Sequence, residues 1–273
     1  MRPVSPKLAF HKMHGLGNDF VVIDARVQSV TMTEGLARAL ADRHTGIGCD
    51  QLILLEPSDT ADIAMRIFNA DGSEVEACGN AARCVTQLIG AEAMIETPGG
   101  TIYGKSEGGG ATLDMGQPRL DWDAIPLAYA MDTLDMPVGW DALENPVAVN
   151  VGNPHLVFFV DNADTVDLAR LGPIIEHDPL FPDRVNVNVA SVEPDGSLKL
   201  HVWERGVGLT RACGTGACAT MVAAVRRKLV DGETVVRLPG GALSIAWTPG
   251  EAIRMTGPAI HVFSAEIDIE MLL

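Results

Sequence analysis

Basic side chains are scarce: 20 Lys and Arg stand against 36 Asp and Glu, for a formal net charge of −16. That shortage excludes nucleic acid and anionic membrane as expected partners, because both are bound through clustered cations. The one short basic run, Arg226-Arg227-Lys228, is expected to complement the C-terminal end of a helix dipole. Long apolar runs are also missing. No stretch approaches the ~20 residues of a bilayer-spanning helix, and the opening MRPVSPKLAF has no apolar segment of signal-peptide length, so a cytoplasmic location is expected. Five cysteines, an odd number without an export signal, read as reduced thiols rather than a disulfide framework. Neither Cys-x-x-Cys nor His-Glu-x-x-His spacing occurs, so no metal site is expected. With 47% hydrophobic and 21% charged residues, nothing reads as disordered.

What is present is a segment that occurs twice. Glu76-Ala77-Cys78-Gly79-Asn80-Ala81-Ala82 returns as Arg211-Ala212-Cys213-Gly214-Thr215-Gly216-Ala217, 135 residues later. Gly17-Asn18 matches Gly152-Asn153 at the same offset, as do Gln51 with Asn186 and Asn69 with Glu204. Beyond the cysteines the offset becomes 141, pairing Pro98-Gly99-Gly100 with Pro239-Gly240-Gly241. A solenoid needs at least three repeats, whereas two copies suit a duplicated domain with one cysteine element from each copy aimed at a shared site.

Each copy has a polar Gly-Asn loop beside an apolar strand, at residues 20–24 and 156–160. Helical spacing predicts helices over 34–43 and 166–171, and strands are expected at 8–11, 51–55, 63–68, 185–189 and 198–202. The strongest helix in each copy follows its cysteine: 80–89, and 216–230, which is Ala-rich and apolar on nearly all sides. A helix apolar all round belongs inside a domain, so a β-rich wrapping around one central helix is expected in each half. Several short strands are permitted over 120–140 and 144–149. The boundaries are placed at 1–117, joined by a C-terminal strand at 262–273, and 118–261.

A thiol at a helix N-terminus sits beside N–H groups without intrahelical acceptors and the positive end of the dipole, which favour thiolate and also bind a carboxylate. Two such elements supply what stereoinversion at a carbon requires, one group to remove a proton and another to return one. Cys84 and Cys218 lie six and five residues further on, facing away, and are read as core residues together with Cys49. Asn18, Gln51, Asn69, Asn153, Asn186, Glu204 and Arg205 fall in loops or at strand ends as polar ligand contacts, and His155 is a candidate to tune a catalytic thiol.

These residues resemble the diaminopimelate epimerase family end to end: His11-Lys12-Met13-His14-Gly15-Leu16-Gly17-Asn18-Asp19-Phe20, Asp50-Gln51-Leu52, Phe68-Asn69-Ala70-Asp71-Gly72-Ser73-Glu74, Ala77-Cys78-Gly79-Asn80, Gly152-Asn153-Pro154-His155, Arg184-Val185-Asn186, Glu204-Arg205-Gly206 and Ala212-Cys213-Gly214-Thr215-Gly216. The resemblance implies an α+β fold of two pseudo-twofold-related domains, each a β-barrel-like sheet around a central helix. It implies reversible epimerisation of LL- to meso-2,6-diaminopimelate without pyridoxal phosphate, metal or other cofactor, in lysine and peptidoglycan precursor synthesis. Cys78 and Cys213 would be the acid–base thiols. The amides of Gly79-Asn80 and Gly214-Thr215 would hold the carboxylate at the reacting carbon. Asn69, Asn153, Asn186 and Arg205 would recognise the distal end, with Asn18, Gln51 and Glu204 completing the pocket and His155 and Glu204 supporting activity. Ala81 replaces a common Gly, and Phe263 stands where Tyr is usual at a position linked to the family's homodimer. The alternatives are another two-thiol racemase of this fold, such as a proline racemase, and a thiol redox or binding protein.

Overall fold

The computed structural model describes residues 7–76 and 78–272, without the Met271 side chain; the first six residues and Ala77 of the first cysteine motif lie outside the described residues. The chain separates into two compact units, one running to Leu113 and resuming at Gly257, the other Asp114–Thr256.

The first unit contains β1 (Lys7–Gly15), β2 (Asn18–Asp24), α1 (Glu34–Ala41), β3 (Gln51–Glu56), β4 (Ile63–Asn69), β5 (Glu74–Val75), α2 (Gly79–Ile89), β6 (Glu92–Thr97), β7 (Gly100–Glu107) and β8 (Gly110–Asp114). Strands β2 and β3 pair in parallel, with Phe20 opposite Gln51. Strand β4 then pairs antiparallel with β3 and β5 and parallel with β6. Helix α1 starts where Thr33 Oγ1 accepts from Leu36 N at 3.2 Å, and it buries Leu36, Ala37, Leu40 and Ala41. It ends at Asp42, whose backbone is extended. Helix α2 stops at Gly90, where φ is 77°, a left-handed conformation that costs glycine little. It packs against β1, β2, β6 and β7 and so occupies the middle of the unit.

In the second unit come β9 (Gly139–Trp140), β10 (Leu143–Glu144), β11 (Val147–Asn150), β12 (Pro154–Phe159), α3 (Leu168–Glu176), β13 (Asn186–Val192), β14 (Leu198–Glu204), β15 (Gly208–Thr210), α4 (Gly214–Arg226), β16 (Glu233–Leu238), β17 (Gly241–Ala246) and β18 (Arg254–Pro258). The chain then supplies β19 (Ile260–Asp268) to the first unit, antiparallel to β1. The repeat seen in the sequence is a repeat of strand register. His155 stands opposite Asn186 in the parallel β12–β13 pair, each 135 positions beyond Phe20 and Gln51. The parallel β14–β16 pair sets Leu198 against Val236, as β4–β6 sets Ile63 against Ile95. Helix α4 buries every residue from Gly216 to Ala224 and packs on β11, β12, β13, β14, β16 and β17. Its small side chains let strands approach closely on all sides.

One expectation is corrected, and the stretch left open between the two copies is resolved. Residues 120–140 are mostly turns, not several strands, although Ile125, Leu127 and Met136 join the core formed with Leu156 and Phe158. Prolines at 118, 126 and 137 interrupt any ladder by removing N–H donors. Over 144–149, where short strands are permitted, β10 and β11 form and are separated at Asn145-Pro146, Asn145 taking φ 49°. The helix expected to reach residue 230 ends at Arg226, and Lys228 takes φ 59°. Its basic end also does more than complement a dipole. Arg226 donates to Ala148 O at 3.3 Å and Thr133 Oγ1 at 3.1 Å, and Arg227 donates to Leu134 O at 2.9 Å and Asn145 O at 2.6 Å. These arginines tie the end of α4 to backbone carbonyls of Leu134, Asn145 and Ala148.

Candidate active site

In each unit a cysteine is the N-cap of the central helix: Cys78 for α2 and Cys213 for α4. The first N–H groups of each helix, at Gly79-Asn80 and Gly214-Thr215, have no intrahelical acceptor and are available to an anion. The two sulfurs differ in surroundings. Cys213 is 5% exposed, and its Sγ accepts from Gly216 N at 3.3 Å and lies 3.5 Å from Thr215 Oγ1. Cys78 is half-buried, with its Sγ 3.9 Å from Asn18 Oδ1.

The helix N-terminus does not make Cys213 a thiolate. Burial is the larger effect and pushes this thiol well up, and the Glu204 carboxylate adds to it, outweighing the bonds from Thr215 and Gly216. Burial raises Glu204 too, against a 2.5 Å hydrogen bond donated by Thr210 Oγ1. Burial and the neighbouring Glu204 thus both favour the proton-bearing form of Cys213.

Around Cys78, Asn18 and Asn80 come together: Asn80 Nδ2 donates to Asn18 Oδ1 at 3.3 Å. Gln51 and Asn69 form a separate pair across β3 and β4, Gln51 Nε2 donating to Asn69 Oδ1 at 3.0 Å. Gln51 Oε1 is buried without a hydrogen-bond partner among the described residues, which leaves a strong acceptor to be filled. In the second unit Asn153 Nδ2 reaches Thr215 Oγ1 at 3.4 Å and so joins the Cys213 cap. Asn186 is buried with its amide committed to backbone, donating to Pro154 O at 2.7 Å and accepting from Arg205 N at 2.9 Å. Arg205 is exposed, and its Nη1 donates to Asp183 O at 2.8 Å.

His155 is fully buried, and within its unit it touches amides rather than a sulfur. Asn188 Nδ2 donates to Leu156 O at 3.0 Å, so its N–H₂ end also faces His155 Nδ1 at 3.1 Å. That makes Nδ1 the acceptor and places the ring proton on Nε2, 2.9 Å from Asn153 Oδ1. Burial drives His155 down to about 3, so the ring is neutral and orients the Asn153 amide. The consequence for stability has a definite sign. The native ring refuses a proton that the unfolded chain accepts below its ordinary value of 6.5. Its contribution is complete above pH ~6.5 and is lost as pH falls toward about 3, at up to about 1.4 kcal/mol per pH unit. Between pH 6.5 and 5, denaturation midpoints of the wild type should fall more steeply than those of His155→Gln; parallel profiles would contradict the assignment.

Sequence reasoning missed several supporting residues. Asn188 sits two positions along β13 from Asn186, on the same face of the strand, a spacing that marked it as a companion. A Cβ at Gly216 would stand 2.8 Å from Asn188 Oδ1 and 3.2 Å from Cys213 Sγ, so only glycine fits there. Ala81, the matching position in the first copy, is buried, and Ile53 stands where the second copy has Asn188. Glu176, 2% exposed, anchors the turn that carries Arg205 by accepting from Gly206 N at 2.9 Å and Trp203 Nε1 at 2.7 Å. Among the described residues no group of three or more His, Cys, Asp or Glu is arranged to hold a metal.

The sequence profile of diaminopimelate epimerase matches residues 10–120 and 147–262. The chain belongs to the diaminopimelate epimerase family. It is 66% identical over 264 residues to the diaminopimelate epimerase of Rhizorhabdus wittichii, covering 96% of each chain. To that of Erythrobacter litoralis it is 65% identical over 263 residues, covering 96% of this chain and 98% of the relative. Solved structures share the fold at much lower identity. A phenazine biosynthesis protein of the PhzF family from Enterococcus faecalis superposes with TM-score 0.70 at 12% identity, covering 96% of this chain and 99% of that one. A hydroxyproline epimerase from Agrobacterium vitis superposes with TM-score 0.64 at 17% identity, covering 96% and 91%. The α+β fold and the enzyme class expected from the sequence both agree with membership of this epimerase family.

Proposed function

We propose that this chain interconverts LL- and meso-2,6-diaminopimelate by two-base proton transfer, with Cys78 and Cys213 as the acid–base groups. The observation that carries the reading is the cysteine N-cap at the head of the central helix in both copies of a duplicated fold, within an epimerase family. Helix N–H groups beside each sulfur suit a substrate carboxylate, whose negative charge grows as the adjacent carbon loses its proton. Cys213, kept protonated by burial and Glu204, is the donor in the direction in which Cys78 removes the proton; the reverse reaction exchanges the roles. Asn69, Asn153, Asn186 and Arg205 take the distal amino-acid end, and Asn18, Gln51 and Glu204 complete the pocket. His155 acts by orienting Asn153.

The reaction as proposed draws no electrons or carbonyl chemistry from a cofactor, because a thiolate, a thiol and a stabilised carboxylate are sufficient in kind. The working form we propose is a cytoplasmic homodimer, with exposed Ile260, Val262 and Phe263 on β19 in its interface. The domain limits we propose are 1–117 with 262–273, and 118–261. No helix among the described residues is long and apolar enough to cross a membrane.

The direct test is a coupled assay in which meso-diaminopimelate dehydrogenase reports product formed from LL-diaminopimelate. Robust turnover by protein stripped of pyridoxal phosphate and treated with chelator is expected. Absence of turnover, with the fold intact, would refute the reading.

A further inference from the structure

The polar chain behind Cys78 has a direction that its chemistry imposes. Arg83 is fully buried in α2 and only donates, so the Asn80 atom 2.7 Å from its Nη2 is the carbonyl oxygen. Asn80 therefore turns its N–H₂ toward Asn18 Oδ1, at 3.3 Å. At the other end, the Asp50 carboxylate only accepts, so the Asn18 atom 3.0 Å from its Oδ2 is the amide nitrogen. Both ends demand the same Asn18 orientation, N–H₂ toward Asp50 and carbonyl toward Cys78 Sγ, 3.9 Å away. An amide is nearly symmetrical in shape, so it is the neighbours' chemistry that chooses between its two orientations.

Asp50 is itself held in place. Its Oδ2 also accepts from Asp19 N at 3.1 Å, and its Oδ1 accepts from Arg43 Nη2 at 2.7 Å. Arg43 binds Asp19 at 2.6 and 3.2 Å, and Lys12 binds the same carboxylate. Burial raises Asp19, but the bonds from Arg43 and Lys12 outweigh it and hold the carboxyl below its usual range. Among the described residues, the ionisable groups of this polar chain are Arg83, bound to Asn80, and Asp50, bound to Asn18, with Asp19, Lys12 and Arg43 behind Asp50; Cys84, also on α2, interacts electrostatically with Cys78.

We propose that Asp50 is a positioning residue for Cys78: through Asn18 Nδ2 it keeps an amide carbonyl, rather than an amide N–H, against the sulfur. This rests on the reading of Cys78 as an acid–base thiol. A carbonyl stabilises S–H relative to S⁻, which strengthens the sulfur as a base and favours the protonated form it reaches after taking the substrate proton. Without Asp50, only the longer 3.3 Å bond from Asn80 Nδ2 opposes a turn of the amide that brings its N–H₂ toward the thiolate and weakens it as a base.

The test is the pH dependence of iodoacetamide alkylation at Cys78, followed by peptide mass in full-length Cys213→Ala protein. Asp50→Ala should lower the apparent thiol pKa by about 0.5 or more, roughly threefold more thiolate below the midpoint. In an Asn18→Ala background the same substitution should have no further effect, because the carboxylate acts through that amide. No shift, an upward shift, or an equal shift without Asn18 would overturn the proposal. Should Asp50→Ala not fold, Asp50→Asn serves: its single oxygen cannot satisfy Arg43, Asp19 N and Asn18 together. A downward shift that vanishes in the Asn18→Ala background again supports the relay, and no shift, or one that persists there, overturns it. Alkylation reads the sulfur whether or not it turns over substrate, whereas failure of the functional reading would appear as epimerase activity retained by Cys78→Ala.

Discussion

Cys78→Ala and Cys213→Ala should each lower kcat/KM for LL-diaminopimelate by roughly 10³-fold or more, in line with the loss of a positioned proton-transfer group on which no parallel route depends. The double variant should be little worse than either single one, because two groups that act as a unit do not contribute additively. Each substitution removes one sulfur at a helix head. Cys213 also gives up the bond from Gly216 N, and loss of a cap costs about 1 kcal/mol, too little to unfold a domain. Cys49 and Cys84 are the contrasting cases. Both are buried and neither heads a helix, Cys84 lying inside α2 and Cys49 before β3, so neither has helix N–H groups beside its sulfur to hold a substrate carboxylate. Alanine at these positions should lower the denaturation midpoint while leaving kcat near the parent value. Activity assays beside circular dichroism separate the outcomes, and near-normal turnover by either Cys78→Ala or Cys213→Ala would remove that thiol from the mechanism.

The second large effect concerns the substrate. Lysine keeps the distal amine of diaminopimelate but lacks the distal carboxylate, and it should be racemised at least about 10⁴-fold less efficiently. The reason is the polar capacity proposed for the distal end, where each group that a bound ligand buries without a partner carries a desolvation penalty. Gln51 Oε1, assigned to the same pocket, is buried with no hydrogen-bond partner among the described residues. L-Proline, with one carboxylate and a secondary amine, leaves still more of these groups unsatisfied and tests the rival racemase reading. Arg205→Ala should narrow the preference for diaminopimelate over lysine. Comparable turnover of L-proline, or an unaltered preference in Arg205→Ala, would overturn the substrate assignment while leaving the two-thiol chemistry intact.

The duplication was legible because it preserved register: a constant offset brings Gln51 and Asn186 to the same place in parallel strand pairs, opposite Phe20 and His155. Both cysteine caps were legible for a similar reason, since a Cys-Gly pair heading an apolar helix is a local pattern. The state of Cys213 was not. It depends on burial and on Glu204, nine residues away in sequence but brought beside the sulfur by the β14–β15 hairpin. Nor could periodicity reveal that His155 is a neutral ring set by Asn188, because that depends on which amide atom already serves Leu156 O. The segment 120–140 could not be read because its apolar residues reach the core from turns, and prolines deny it the ladder that its alternation permitted. Asp50 was visible only as the neighbour of Gln51; its bond to Asn18 spans 32 positions.

The central claim is that the proton removed and the proton returned belong to different sulfurs. Conversion of LL-diaminopimelate in D₂O, stopped at a few per cent turnover and analysed by mass spectrometry, tests it most directly. The donor thiol exchanges with solvent before reaction, whereas the abstracting sulfur returns the original proton whenever substrate is re-formed. Deuterium should therefore appear in nearly every molecule of new meso product and be almost absent from recovered LL substrate; equal early labelling of substrate and product would point to one shared base and contradict the two-thiol account.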